Sequence, residues 1–485
     1  MVQRGLLGAQ YQPITVDEVK KIHDSTLEIL ESVGMECNST KIMKIFEDGG
    51  AEVDRDKKRV RIPQHLVTEA IHKVPHQVIF CGRNPANDLL LESNRVYFGM
   101  GGTPVPFIRD LETAKVRRPT KRDMEEATRL GDGLSNMKFL MSIAGAFDVP
   151  YEAEYLHEFE ALFNNTEKPI LYSAPGQFVA KKVLEMAATI SGTPEQLRKR
   201  PNVMLYAETS SPLAFSAPNE NIIEFAKSGL PFVNGATPMC GGSAPMTLAG
   251  AMVVGNAENL ATLTLAQLVR PHTPVVYSAW ACIMDPVTSR FAYGAPEFAI
   301  GVNALNASLA RYYDLPCYGF GGCTDSKTPD AQAGAEVMMN CLVAGMSGVG
   351  LIHDCGYLAG GSIGSMEMAV IDNEIIGYVE RILRGVDVND ETLAVDVIKA
   401  VGPGGHFMSQ RHTLNHVREL YVPHLFDRTP ETAWVKAGSK ETREVARERA
   451  RKILKEHKVT PLENEVKQRI SEIVKSAEKE LPKSS

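Results

Sequence analysis

The feature that most constrains the fold is an alternation of short apolar runs with helical stretches, repeated eight times between residues 94 and 355. Apolar strands separated by helical crossovers are typical of a parallel sheet covered on both faces. Eight such units match the size of a closed (β/α)8 or TIM barrel, about 250 residues. The strands are predicted over residues 95–101, 138–145, 169–174, 203–210, 231–237, 274–280, 316–322 and 349–355.

An open, doubly wound sheet is the alternative architecture. It is disfavoured because the chain has no GxGxxG turn between a strand and a helix. The segments before and after the repeat have different patterns. The N-terminal segment is predicted to carry helices over 15–33 and 63–74 with a short strand over 59–62, and the C-terminal segment is charged and helical. We therefore predict three parts: an N-terminal α+β extension (1–93), the barrel (94–385) and a C-terminal helical wrap (386–485).

The overall charge excludes several classes of partner. Lys and Arg number 52 and Asp and Glu 59, so the net charge of −7 favours neither nucleic acid nor an anionic membrane. No apolar run reaches the roughly 18 residues of a membrane span, and the N-terminus lacks the apolar core of a signal peptide. A cytoplasmic location is expected.

The eight cysteines are scattered and form no CxxC pair, which argues against a disulfide scaffold and a structural zinc site. Cys240, Cys323 and Cys355 lie in glycine-rich segments at strand ends, where they are expected to line a pocket. A nucleophilic role for one of them stays open, although the sequence shows no His/Cys arrangement that supports it.

Chemistry in such barrels takes place at the mouth, the end where the carboxyl termini of the strands meet. The predicted strand ends are rich in glycine and aromatic residues but carry few ionisable groups, namely Glu208, Asp325, His353 and Asp354. Aromatic faces are the usual receptor for a quaternary ammonium through cation–π attraction. Strand alternation predicts that His353 and Asp354 point away from each other. No HExxH or GxSxG motif indicates a metalloprotease or a serine hydrolase.

Four separated segments resemble the trimethylamine methyltransferase family, in the family's order. They are GGCTDSK (321–327), LIHDCGYL (351–358), the helix MEMAVIDNEIIGYVERILRG (366–385), and GPGGHF (402–407) with the HTLNHVRELYVPHLFDR that follows. The resemblance covers nearly the whole chain. It implies a barrel enzyme that transfers a methyl group from an amine to the cobalt of a separate corrinoid protein. The founding members carry pyrrolysine in the loop after LIHDxGYL.

In this chain Ala359 stands where the resemblance would place pyrrolysine. The sequence is thus similar to the non-pyrrolysine branch, whose members demethylate quaternary amines. The resemblance implies glycine betaine first, with proline betaine, carnitine or γ-butyrobetaine as alternatives. It also implies that no cofactor is bound directly, since the corrinoid is carried by the partner protein. We further expect a homo-oligomer.

The expected site residues follow from the mouth and the resemblance together. His353 and Glu208 are expected to be catalytic, Glu208 as a counter-charge for the cation, and no metal ligands are expected. The donors to a substrate carboxylate are expected among His353, Arg311 and backbone amides. The predicted substrate-binding residues are Tyr97, Phe98, Tyr206, Trp280, Phe320, Asp325 and Tyr357.

Three other functions remain open on the sequence alone. The chain could act on a tertiary amine or another methyl donor within the same family. It could bind a betaine without turnover, as a sensor or scaffold. It could also be a barrel lyase or aldolase, which needs a Schiff-base lysine; Lys327 is the only lysine near a predicted strand end.

Overall fold

The eight predicted strands form a nearly closed parallel barrel in the computed structural model, which describes residues 2–481. Strands β1 to β7 follow one another in space, β8 pairs with β1 and β7, and β6 meets β7 through Tyr277 and Cys317. In chain order they are Arg95–Met100 (β1), Met137–Leu140 (β2), Ile170–Ser173 (β3), Val203–Ala207 (β4), Phe232–Asn234 (β5), Val275–Val276 (β6), Tyr318–Phe320 (β7) and Leu351–Cys355 (β8).

Prolines at the starts of the strands are compatible with the sheet, because the proline carbonyl accepts an inter-strand hydrogen bond and no N–H donor is required at that position. The carbonyl oxygens of Pro169, Pro231, Pro274 and Pro316 each accept a hydrogen bond from the preceding barrel strand, at 2.8–3.4 Å. A proline at these positions therefore marks where a strand enters the barrel without breaking a pair.

A helix follows each strand and covers the outside of the barrel, as the alternation predicts. Helix α6 is interrupted by a π-helical segment. The helices are Lys121–Gly133 (α1), Glu154–Asn165 (α2), Gly176–Ser191 (α3), Glu220–Ser228 (α4), Leu248–Val269 (α5), Pro296–Ala299, Ile300–Leu305 and Asn306–Tyr312 (together α6), Ala331–Ser347 (α7) and Met366–Leu383 (α8). Additional short helices are Tyr151–Ala153, Pro194–Lys199 and Ala217–Asn219.

The N-terminal extension packs along the outside of the barrel, mainly on helix α5, and its strand Met35–Cys37 pairs with Ala214–Phe215 in the loop after β4. Its first helix begins at a capping box formed by Thr15 and Glu18, and Gly34 follows it with φ of +76°. Its helices are Val16–Ser32, Thr40–Asp48, Gln64–Lys73 and Pro85–Asn87, and its strands are Leu6–Leu7, Met35–Cys37, Glu52–Asp54, Arg59–Arg61, Val78–Phe80 and Leu89–Leu91. Strand Leu6–Leu7 pairs antiparallel with β1, which ties the extension to the barrel.

Short strands in the loops build the rim of the mouth. Tyr357–Leu358 pairs with Ile363–Ser365, which pairs with Phe107–Arg109, so that the loops after β1 and β8 form one small sheet. The remaining loop strands are Val116–Arg117, Ala214–Phe215, Met239–Cys240 and Cys282–Ile283. This rim holds the segment that follows β8 at the edge of the mouth.

The C-terminal part divides into an exposed arm and two packed helices. We call residues 386–420 the arm; none of them is buried. The last two helices pack on the barrel helices through buried residues such as Ala446 and Ile473. The C-terminal helices are Asp390–Leu393, Val395–Val401, Arg411–His416, Val417–Glu419, Glu431–Lys436, Thr442–Glu456 and Asn464–Glu480. Within residues 2–481, no helix is long and apolar enough to cross a membrane.

Candidate active site

A group of five rings fills the inside of the barrel at the ends of β4, β6, β7 and β8. We call it the aromatic group; it consists of Tyr206, Trp280, Tyr318, Phe320 and His353. The imidazole of His353 stacks on Tyr318, with ring centroids 4.2 Å apart and planes inclined by 22°. Trp280 and Phe320 adjoin the same imidazole, at centroid distances of 6.1 and 4.4 Å. Three predicted substrate-binding residues and one predicted catalytic residue therefore lie together.

Hydrogen bonds fix the rings of this group. The indole N–H of Trp280 donates to the carbonyl of Tyr318 at 3.1 Å, so the buried polar atom has a partner. Nδ1 of His353 lies 2.7 Å from the carbonyl oxygen of Gly319. A carbonyl only accepts, so Nδ1 carries the proton and Nε2 of a neutral imidazole is left with a lone pair. Burial lowers the pKa of His353 to about 3, which keeps the ring neutral.

Asp354 contacts the imidazole of the preceding residue, contrary to the expectation from strand alternation. Its Oδ1 lies 3.2 Å from Nε2 of His353. Asp354 has φ of +70°, and the pairing of β8 with β1 shifts register between Ile352 and Cys355. The left-handed backbone turns the carboxyl back toward the histidine. That conformation is costly for a residue other than glycine and is found mostly where the surrounding structure enforces it.

Burial raises the pKa of Asp354 well above its usual range. A protonated carboxyl is able to donate to the Nε2 lone pair of His353, which lies 3.2 Å away. Both groups of this pair are therefore neutral, and the proton that faces the other group belongs to the carboxyl of Asp354. The carboxyl also lies close to Gly102, where a Cβ would come within 2.4 Å of Oδ1. Glycine at 102 therefore leaves the room that the Asp354 carboxyl occupies.

Glu208 follows β4 and interacts with the hydroxyl of Tyr206. Its side chain is exposed to solvent, yet the surrounding protein raises the pKa of its carboxyl by burial. A side chain that is accessible to solvent and yet surrounded by protein lies in a hollow of the mouth. Tyr206 lies beside Tyr318, with ring centroids 5.8 Å apart. The carboxyl of Glu208 thus faces the hollow at one side of the aromatic group.

Two predicted substrate-binding residues of β1 do not join this group. The hydroxyl of Tyr97 accepts from the backbone N–H of Gly5 at 2.9 Å and donates to the carbonyl of Leu90 at 2.7 Å, both in the N-terminal extension. Phe98 shares the side of the strand with Met100, whose side chain reaches helix α1. Tyr97 therefore serves the closed end of the barrel, and Phe98 faces the helix layer.

Tyr357 lies under the rim of the mouth, with its hydroxyl occupied by backbone groups. It accepts from the N–H of Gly102 at 2.9 Å and is within donating distance of the carbonyls of Thr103, at 2.6 Å, and Ser142, at 2.7 Å. The residue is buried. This arrangement joins the loops after β1, β2 and β8, so Tyr357 positions the glycine next to Asp354.

An open cleft of about 780 Å³ lies at the mouth between the loops after β6, β7 and β8. Asp325, a predicted binding residue, lines it and accepts a hydrogen bond from the backbone N–H of Gly294 at 2.9 Å. Burial raises the pKa of Asp325. The other lining residues are Met239, Asp285, Thr288, Ser289, Arg290, Phe291, Ala292, Lys327, Ala359, Gly360 and Ser362. Two further hollows, of about 420 and 670 Å³, lie in the outer helix layer, away from the mouth.

Two rings that strand-end reasoning missed connect the cleft to the aromatic group. Tyr293 lies between Phe291 and Phe320, with centroid distances of 6.0 and 6.1 Å. Phe298, at the start of α6, packs on both Tyr293 and Phe320, at 4.9 and 5.3 Å. They belong to the segment FAYGAPEF (291–298), whose aromatics in a glycine-containing loop were the available signal.

Other candidates take structural positions. The guanidinium of Arg311 donates to the carbonyl of Ser347 at 2.6 Å in the helix layer, away from the mouth. Lys327 is exposed and donates to the carbonyl of Asp325. The eight cysteines are free and buried. Burial raises the pKa of the Cys323 thiol, and a hydrogen bond with Cys341, together with burial, raises that of Cys355, so neither supplies a thiolate nucleophile.

The chain is similar to known methyltransferases over nearly its whole length. The model of the trimethylamine methyltransferase family matches residues 4–482. The trimethylamine methyltransferase of Desulfitobacterium hafniense (strain DCB-2) is 37% identical over 484 residues, covering 99% of this chain and 97% of that protein. The glycine betaine methyltransferase of Desulfitobacterium hafniense (strain Y51) is 32% identical over 481 residues, covering 98% of this chain and 99% of that protein.

Further matches come from Methanosarcina species. The trimethylamine methyltransferase of Methanosarcina barkeri (strain Fusaro) is 33% identical over 479 residues, covering 98% of this chain and 97% of that protein. Among solved structures, the monomethylamine methyltransferase of Methanosarcina barkeri matches with a TM-score of 0.46 at 12% identity. That match covers 91% of this chain and 93% of the solved one.

Proposed function

Because the chain belongs to the trimethylamine methyltransferase family, and is a methyltransferase, we propose that it acts on a quaternary amine. The favoured substrate is glycine betaine, and the acceptor is the Co(I) of a separate corrinoid protein. A relative named glycine betaine methyltransferase, alike over nearly the whole chain, supports the substrate. Ala359 at the position expected for pyrrolysine supports a substrate that needs no such residue.

The observation that carries the proposal is a carboxyl next to aromatic rings in a hollow at the mouth. Glu208 faces the hollow beside Tyr206, which packs on Tyr318. A quaternary ammonium has no N–H to donate, so it is recognised by aromatic faces and by opposite charge. Each ring contributes about 0.5–2 kcal/mol to the binding of such a cation. Bringing a cation to Glu208 also favours the ionised carboxylate that burial disfavours.

The reaction requires little acid–base catalysis by the protein. The lone pair on Co(I) attacks one N-methyl carbon and forms the Co–C bond. The C–N bond breaks with its electron pair left on nitrogen, which becomes a neutral tertiary amine, and cobalt is formally oxidised from Co(I) to Co(III). No proton is gained or lost. The protein has to hold the methyl group in line and exclude water.

Within this mechanism His353 is a positioning residue for the rings around it. Its Nδ1–H is used by the carbonyl of Gly319, and its Nε2 carries a lone pair that lies 3.2 Å from Oδ1 of Asp354, so neither nitrogen remains to donate to a substrate carboxylate. Arg311 lies in the helix layer. Of the three donors that were expected, backbone N–H groups at the glycine-rich strand ends remain. They can approach a ligand closely because glycine has no Cβ.

A methyl-donor screen tests the proposal. The protein is incubated with cob(I)alamin and each of glycine betaine, proline betaine, carnitine, γ-butyrobetaine and trimethylamine, and methylcobalamin is followed by its visible spectrum. We expect methylcobalamin with at least one quaternary amine. Binding of a betaine by calorimetry without methyl transfer would instead indicate a non-catalytic betaine-binding barrel.

A tertiary amine is the second candidate substrate. The relative that is 37% identical is named a trimethylamine methyltransferase, which favours it. Ala359 and Gly360, which line the cleft, adopt positive φ, as does Gly361, and none of the three carries a side chain that would activate a neutral or protonated amine. Methylcobalamin formed from trimethylamine alone would establish this alternative.

We also propose that a second copy of the chain covers the arm. Ten large apolar residues of the arm are 45–83% exposed, for example Met408 at 83% and Leu414 at 67%. Together they expose on the order of 1,000 Å², whereas a standard interface buries about 800 Å² of each partner. The arm follows Leu383, which packs on Gly345 at the end of the barrel opposite the mouth. A second copy there leaves the mouth open for the corrinoid protein.

A further inference from the structure

The arm brings two histidines and a glutamate together in a cluster that shares no residue with the mouth cleft. His412 and His416 lie one turn apart on helix Arg411–His416, with ring centroids 4.2 Å apart. Glu391 comes from helix Asp390–Leu393, 21 residues before His412 and 25 before His416. One ligand atom from each of the three residues lies within 4.8 Å of the other two.

A fourth residue orients one of these ligands. Nδ1 of His416 lies 2.7 Å from Oε1 of Glu419, while its Nε2 lies 3.5 Å from Oε1 of Glu391. A histidine that binds a metal through one nitrogen usually donates its other N–H to a carboxylate, which fixes the tautomer and the ring orientation. The contact with Glu419 leaves Nε2 of His416 directed at Glu391, as that pattern requires.

The arm needs a source of stability that its own packing does not provide. No residue from 386 to 420 is buried. The two helices that carry the ligands have four and six residues, well below the roughly 12 residues at which an isolated helix becomes marginally stable. The side-chain hydrogen bonds of His412 and His416 all stay within the arm. Small units of this kind are commonly held by a structural metal.

We propose that Glu391, His412 and His416 bind a divalent transition metal ion, Zn²⁺, with Glu419 as the positioning residue. Two imidazoles and one carboxylate are a ligand set that Zn²⁺ takes, with a fourth position for water. Nε2 of His412 lies 3.1 Å from the carbonyl oxygen of Glu391. On metal binding, this nitrogen would leave the carbonyl and bind the ion. The ion would join the two short helices and set the shape of the arm. This inference does not depend on the proposed methyl transfer.

Metal binding by the full chain tests the site. The protein is treated with a chelator, dialysed and titrated with ZnCl2 by calorimetry, and the bound metal is counted by mass spectrometry. Co²⁺ in place of Zn²⁺ reports the ligand geometry through its visible absorption. We expect one ion per chain. His412→Ala and His416→Ala should each abolish it, and Glu419→Gln should weaken it by about 10–100-fold.

His406→Ala provides a matched control, because His406 is an exposed histidine of the same arm outside the cluster. It should bind Zn²⁺ as the unchanged protein does. Circular dichroism confirms that each variant keeps its fold. No binding by the unchanged protein would overturn the site. Equal binding by the His412→Ala/His416→Ala double variant would also overturn it, since the metal would then be held elsewhere.

Discussion

Nε2 of His353 lies 3.2 Å from Oδ1 of Asp354, although the two residues are neighbours in one strand. The contact exists because Asp354 adopts a φ of +70° at the end of β8. The imidazole is held on its other side by the carbonyl of Gly319 and lies flat against Tyr318. The orientation of the central ring of the aromatic group therefore depends on a carboxyl that the protein keeps neutral.

The first prediction concerns that carboxyl. Asp354→Asn should keep the contact, because an amide N–H donates to Nε2 as the protonated carboxyl does, and asparagine tolerates positive φ. Asp354→Ala should leave a buried acceptor without a donor, at a cost of about 1–3 kcal/mol. The thermal unfolding midpoint checks both variants. If Asn destabilises as strongly as Ala, the pair is ionic rather than neutral.

The second prediction compares two neighbours in β4. Tyr206 packs on Tyr318 inside the barrel, whereas alternation turns Leu205 toward the helix layer. Tyr206→Ala should weaken the binding of a quaternary amine by roughly 2–30-fold, the loss of one cation–π contact of about 0.5–2 kcal/mol. Leu205→Ala serves as the control, since it should lower stability but leave the dissociation constant unchanged. Calorimetric titration measures the dissociation constant of a quaternary amine for both variants, and equal losses of affinity would count against an aromatic receptor.

The third prediction concerns pH. Burial raises the pKa of Glu208, so its carboxyl is still partly protonated at pH values where a free glutamate is ionised. A cation prefers the carboxylate, so affinity for a quaternary amine should rise as pH increases through the raised pKa. Glu208→Gln should remove this dependence and weaken binding at high pH by about tenfold, or 1.4 kcal/mol. Affinities measured by calorimetry across pH test this, and an unchanged slope in the variant would exclude Glu208 as the counter-charge.

The barrel was predictable from the sequence because each strand carries its own signal. Apolar runs, prolines such as Pro169 and Pro316 at their starts, and helical periodicity between them are local properties. The gathering of Glu208, Trp280, Phe320 and His353 at the mouth follows from the same logic, since parallel strands bring their carboxyl ends together. The prediction that these residues bind substrate or take part in catalysis remains to be tested.

Side-chain direction was the part that the sequence did not reveal. Tyr97 and Phe98 were expected at the mouth, but the hydroxyl of Tyr97 bonds to the N-terminal extension and alternation turns Phe98 toward the helix layer. The contact between His353 and Asp354 depends on one left-handed residue, and no local pattern signals positive φ at an aspartate. Tyr293 and Phe298 reach the aromatic group from a loop and from the start of a helix, where strand periodicity gives no information.

The last prediction concerns self-association through the arm. Phe407, Met408 and Leu414 expose 45%, 83% and 67% of their surface. Because no arm residue is buried, changing these three to aspartate removes apolar contact area without opening a cavity in the core. The unchanged protein should run as a dimer or larger assembly in light scattering coupled to size exclusion. The triple variant should dissociate at least 100-fold more readily, because charges are costly in the core of an interface.

Val287 supplies the control for that experiment. It is 89% exposed but lies in the loop after β6, at the mouth. Val287→Asp should leave the assembly intact because that loop belongs to the mouth and is not part of the arm. A monomeric unchanged protein would refute the interface. An assembly that survives the triple change would place the contact outside the arm, and the arm would then be free for a different partner, such as the corrinoid protein. Methyl transfer to free cob(I)alamin should persist in the triple variant, because the ring group around His353 lies within a single barrel.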